Sequence, residues 1–170
     1  MFIWNFLLIL LLIALNGFFV SVEFAAVTSR RARIELMAED GNTAANIVKA
    51  WIENPSARDR LIAASQLGIT IVSLALGAVG ENTFQGLLRP YFNSLTLPAN
   101  LKSLASLLAA LPLVLSLIIV TSMHVVLGEQ VPKVATLHQP ERIAMLAAQP
   151  MRFFPLSSNG SSTFWIGQPG

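Results

Sequence analysis

The residues best suited to chemistry lie in one stretch, His124-Val125-Val126-Leu127-Gly128-Glu129-Gln130-Val131-Pro132-Lys133. Proline has no amide hydrogen, so in a helix Pro132 leaves the carbonyl four residues back, on Gly128, without a partner. Gly128 has no side chain, which opens that carbonyl to close approach. Glu129 puts a carboxylate beside it. A bare carbonyl and a carboxylate are hard oxygen donors of the kind that hold a cation. A plainer account fits the same residues. Glu129 and Lys133 have the spacing of an ordinary helical ion pair, and Pro132 could end a helix at the water boundary. Sequence alone leaves both open.

Other polar groups sit inside apolar runs. Asn16-Gly17, Ser21 and Glu23 interrupt the first of them. At 100° per residue, Asn16, Val20 and Glu23 share a face, whereas Ser21 points nearly opposite to Glu23. Ser21 and Glu23 can therefore line one site only if the helix unwinds. A serine bonded to its own helix is the commoner state. Gln66, Thr70, Ser73, Gly77 and Gly80 fall on one narrow stripe, which more often means close helix packing than an ion path. The chain has no cysteine, and its only histidines are His124 and His138, which excludes a disulfide framework, a thiolate metal site and a histidine-rich zinc site. His124 reads as a packed or interfacial histidine rather than a ligand.

These groups need elements to position them, and the elements are membrane helices. Hydrophobic residues make up 54% of the chain and charged ones only 12%, about half the share of a soluble domain. A net charge of +2, evenly spread, gives no footprint for nucleic acid. Three runs are long enough to span a bilayer, over about 2–27, 61–80 and 101–128. Arg30, Arg31 and Arg33 follow the first run, so that end is cytoplasmic and the N-terminus outside. Residues 30–54 form a belt of two short amphipathic helices on the cytoplasmic surface, broken at Gly41-Asn42. Ser56 with Asp59 forms a capping box for the second crossing. Residues 81–100 return to water on the outer side, with Phe84, Leu87, Leu88, Tyr91 and Phe92 spaced as a separate short interfacial helix. A juxtamembrane helix occupies 140–154, with proline in its first turn. The stretch 157–170 turns to Ser, Asn and Gly and has no pattern for burial. There is no internal repeat, no Gly-rich phosphate loop and no triad spacing, so no enzyme is expected.

Three segments occur in a telling order: Leu15-Asn16-Gly17-Phe18-Phe19-Val20-Ser21-Val22-Glu23-Phe24-Ala25, then Ser65-Gln66-Leu67-Gly68-Ile69-Thr70, then Val126-Leu127-Gly128-Glu129-Gln130-Val131-Pro132-Lys133. Together they resemble the membrane domain of the CNNM/CorC (hemolysin-C/CorC-like) magnesium-transport family, over residues 1 to about 156. The resemblance implies an all-α domain of three membrane helices with a cytoplasmic belt and a juxtamembrane helix. It implies a homodimer in the inner membrane that exports Mg²⁺, with Na⁺ as the proposed counter-ion. Carried over by position, the metal ligands are Ser21, Ser73, the Gly128 carbonyl and Glu129. Asn16, Gly17, Glu23, Gln66, Gly68, Thr70, Pro132 and Lys133 take structural or gating roles. The family continues into nucleotide-sensing CBS domains and a CorC-type domain, which are expected to be absent from this chain. Magnesium-transporting members carry asparagines in the second helix, where this chain has Ile69 and Ser73. Export of an organic dication such as a diamine, or a non-transporting dimeric module, are the alternatives.

Overall fold

A computed structural model describes residues 2–94 and 102–152. Among these residues it is helical throughout, in the order α1 (Phe2–Thr28), α2 (Arg31–Glu39), α3 (Thr43–Glu53), α4 (Pro55–Asn93), α5 (Lys102–Met123), a π-helical segment (His124–Gln130), α6 (Val131–His138) and α7 (Pro140–Met151). Three stretches are long and apolar enough to cross a membrane: α1, α4 and the continuous helical path Leu107–His138. The stretch 157–170, the last residues expected in the juxtamembrane helix and residues 95–101 lie outside the described residues.

α1 is the hub. It packs along α4 on one side and against the π segment, α6 and α7 on the other, while α4 separately packs on α5. Small residues set these distances. A Cβ on Gly68 would lie 2.7 Å from the Phe19 ring, and one on Gly80 the same distance from Val120. A Cβ on Gly17 would lie 2.9 Å from the Pro132 ring, so α1 and the start of α6 meet where any side chain would intrude. The buried core of Ile9, Ile13, Phe19, Val22, Leu61, Val72 and Leu76 fills the α1–α4 seam.

The polar belt wraps one end of this bundle. Gly41, at φ +83°, makes the reversal between α2 and α3 that a side chain would strain. Asn42 caps α3 by accepting from the Ala44 and Ala45 amides. Glu141, in the first turn of α7, is buried and ties the belt to the end of α1. It accepts from the Arg30 amide at 3.3 Å and pairs with Arg33 at 3.6 Å.

The structure departs from the sequence expectations at three boundaries. The cap of α4 is Asn54, which accepts from the Ala57 amide ahead of Pro55, in place of the Ser56–Asp59 box. α4 does not stop near Gly80 but runs 39 residues to Asn93, about 58 Å. Residues 81–93 thus continue the second crossing rather than form a separate interfacial helix. No proline intervenes before Pro90, Asn82 and Thr83 bond back to their own helix, and Phe84 packs edge-on against Phe6. The third crossing likewise does not end at residue 128: the helix widens at His124–Gln130 and continues through Pro132 to His138.

Candidate functional site

The widened turn is the local event that builds the site. The Val131 amide bonds to the Val126 carbonyl, five residues back, rather than to the usual fourth. Pro132, in the first turn of α6, cannot supply the amide that Gly128 would otherwise receive. π turns of this kind recur at functional sites because they expose a carbonyl sideways without ending the helix. Here the exposed group is the Gly128 carbonyl, and it turns towards α1.

Asn16 receives it. Its Nδ2 donates to the Gly128 carbonyl at 2.9 Å, and the side chain is only 1% exposed. Ser73, on α4, donates its hydroxyl to Asn16 Oδ1 at 3.2 Å, and His124 Nε2 lies 3.1 Å from the same hydroxyl. Three separate segments therefore meet in one polar cluster, in which Asn16 and Gly128 are buried and Ser73 and His124 half-buried. Asn16 sits about 21 Å along α1 from its start and about 18 Å from its end, so the cluster lies near the helix midpoint.

A second polar level lies two turns away. Glu23 accepts from Gln66 at 3.5 Å. Glu23 follows Asn16 by seven residues and Gln66 precedes Ser73 by seven, so the pair sits about 10 Å along the same faces, towards the arginine-rich end. Thr70, between the levels, is exposed and bonds back to the Gln66 carbonyl. The stripe on α4 is thus divided: Ser73 serves the cluster, Gly80 serves packing, and Gly77 has open space beside it.

The candidate ligands do not all converge. Ser73 and Gly128 join the cluster, whereas Ser21 faces another way. It lines an apolar crevice of about 620 Å³ with Phe18, Leu127 and Ile143, because α1 stays wound and Ser21 points away from the Asn16–Glu23 face. Glu129 is 37% exposed and pairs with Lys133, one turn on, whose ammonium also lies 5.8 Å from the Phe24 ring. The ion pair that spacing allowed is formed, and Glu129 stands one residue from the cluster without bonding to it. Among the described residues, no three of His, Asp and Glu come together. Sequence reading gave Asn16 only a structural or gating part and left His124 out. Their partners lie 112 and 51 residues away, and no local pattern signals such pairs.

What this cluster can do is present oxygen. Asn16 Oδ1, Ser73 Oγ and the Gly128 carbonyl lie within one hydrogen-bonded group, with one carboxylate nearby, inside three helices of membrane length. Comparison with known proteins agrees with that setting. Residues 7–156 match the family model for the cyclin M (CNNM) transmembrane N-terminal domain. Two Bacillus subtilis (strain 168) proteins, UPF0053 protein YhdP and UPF0053 protein YhdT, are 38% and 40% identical over 150 residues, 88% of this chain. The chain spans 32% and 31% of their lengths, about a third of each. A shorter match, 35% over 78 residues, covers 46% of this chain and 17% of the Polyamine export protein of Escherichia coli (strain K12). With its motifs, its three helices of membrane-spanning length and a family match over nearly all of its length, the chain belongs to the CNNM transmembrane-domain family.

Proposed function

We propose that this domain carries Mg²⁺ outward across the inner membrane, with Na⁺ as the counter-ion. The observation that carries the reading is the Asn16–Ser73–Gly128 cluster at mid-helix depth. Polar groups at that depth are costly and mark substrate paths. Mg²⁺ prefers oxygen in an octahedron and keeps several of its waters, so two or three protein oxygens with retained waters suffice. Glu129 supplies the charge once it leaves Lys133, and Ser21 supplies a further hydroxyl if α1 rotates or unwinds. The Glu23–Gln66 level is the approach from the cytoplasmic side. The working unit is a homodimer in the lipid bilayer, as the family implies.

A second reading is export of an organic dication such as a diamine. Two points favour it: one relative bears the name Polyamine export protein, and the family resemblance puts an asparagine of magnesium-transporting members where this chain has Ile69. Carbonyl and carboxylate oxygens accept hydrogen bonds from ammonium groups as readily as they ligate a metal.

The test is flux in sealed vesicles containing the purified chain, with Mg²⁺ and a diamine assayed side by side. Saturable Mg²⁺ flux that a Na⁺ gradient drives is the expected result. Diamine flux without Mg²⁺ flux favours the second reading. No flux of either leaves a non-transporting dimeric module as the better description.

A further inference from the structure

The hydrogen bonds in the central cluster have a direction, and chemistry alone fixes it. A carbonyl oxygen only accepts, so the 2.9 Å contact with Gly128 requires Asn16 to present its NH₂ there. Asn16 Oδ1 then faces Ser73 and takes that residue's single hydroxyl proton at 3.2 Å. With its proton committed, Ser73 Oγ can only accept from His124, so the imidazole carries a proton on Nε2, 3.1 Å away. The chain runs one way, from His124 through Ser73 and Asn16 to Gly128.

In this state the Gly128 carbonyl is capped. The amide hydrogens of Asn16 stand where a cation would stand, positive ends against the oxygen. Sideways withdrawal of Asn16 is blocked by packing. Even a Cβ on Gly128 would lie 3.2 Å from both Asn16 Nδ2 and the His124 ring, and Asn16 is almost wholly buried. Rotation in place needs no such room, because the amide oxygen and nitrogen are nearly the same size. Turning the amide over brings Oδ1 beside the Gly128 carbonyl, so that two oxygens face one point. Without a cation they repel each other. With one, both become ligands.

We propose that Asn16 is a reversible gate on the cation site, capping the Gly128 carbonyl with its NH₂ at rest and turning over to ligate the ion through Oδ1. This rests on the transport reading above and adds to it a ligand and a positioning residue. The reversal must propagate. The turned NH₂ donates to Ser73 Oγ, and Ser73 donates to His124 Nε2. The half-exposed imidazole gives up its Nε2 proton to solvent and holds its proton on Nδ1. Each bond of the chain is remade in the opposite sense, and the cation replaces the one between Asn16 and Gly128. His124 does not touch the ion; it is the residue that can both give and take a hydrogen bond at the same nitrogen, which lets the chain reverse.

The histidine is therefore the reporter. The chain has only two, and the exposed His138 serves as the internal reference. In protein labelled with ¹⁵N-histidine and placed in lipid nanodiscs, His124 Nε2 should be the protonated nitrogen without divalent ion. At saturating Mg²⁺, Nε2 should become the unprotonated nitrogen and Nδ1 the protonated one, with His138 unchanged. Asn16→Asp offers oxygen in either orientation and needs no reversal, so its Mg²⁺ affinity by calorimetry should rise about tenfold. If that variant fails to fold, the parent's spectra decide the matter. A parent that binds Mg²⁺ while His124 keeps its proton on Nε2 overturns the gate and leaves the transport reading standing. So does a folded Asp variant that binds no more tightly. A parent that binds no Mg²⁺ overturns both.

Discussion

Glu129 is the residue on which two physical accounts part most cleanly. Its carboxylate pairs with Lys133 on a half-exposed face, and exposed pairs of this kind contribute about 0–1 kcal/mol. A surface pair alone predicts that Glu129→Gln leaves flux and dimer content unchanged. A carboxylate that leaves Lys133 to meet the ion predicts loss of Mg²⁺ flux with expression and assembly intact. We expect the second outcome, read by vesicle flux beside size-exclusion profiles; parental flux in the Gln variant would remove Glu129 from the site. The residues that sequence made visible here are those that obey local rules. Pro132 lacks a donor, Glu129 and Lys133 are one turn apart, and Asn16 and Glu23 share a face, as their bonds to Ser73 and Gln66 confirm. What stayed hidden was pairing at a distance. Nothing near Asn16 in the chain indicates that its amide meets Gly128, and His124 reads as packing until Ser73 is placed beside it.

At the scale of elements, the π segment converts an ordinary membrane helix into a ligand-bearing one. The three crossings were legible because hydrophobic runs of membrane length are a strong signal. The widened turn was not, since five-residue bonding leaves no periodic trace in seven residues. Only the missing donor at Pro132 hinted at it, and the same proline suggested a helix end that does not occur. This gives a test of the element itself. Pro132→Ala restores an amide that can reach the Gly128 carbonyl with normal α-helical bonding. The carbonyl should then turn along the helix axis and away from Asn16. We expect unchanged or higher thermal stability in detergent together with Mg²⁺ affinity at least about tenfold weaker by calorimetry. Parental affinity in that variant would make the π segment incidental to binding. Loss of stability would instead point to the contact between Gly17 and the Pro132 ring as the proline's main role.

For the whole molecule, the distribution of charge is the argument for which end of the bundle faces the cytoplasm. Nine of the eleven Lys and Arg residues lie in 30–60 and 133–152, at the end where α2, α3 and α7 gather around the close of α1. Only Arg89 and Lys102 lie at the other end. Basic residues in short flanking segments stay cytoplasmic, and on that rule we propose that the belt and α7 lie inside and the N-terminus outside. The length of α4 fits this arrangement. At about 58 Å it is nearly twice the hydrocarbon thickness, so in this orientation its Asn93 end would project beyond the outer face. The lack of native cysteine makes the test direct, because any label must sit at the introduced site. A cysteine at Asn93 should react with an impermeant maleimide in intact cells, and one at Ala44, on α3, only after the membrane is opened. Labelling of the Ala44 position from outside would invert the bundle. The Glu23–Gln66 level would then face the exterior, and the direction proposed for Mg²⁺ would have to be reversed with it.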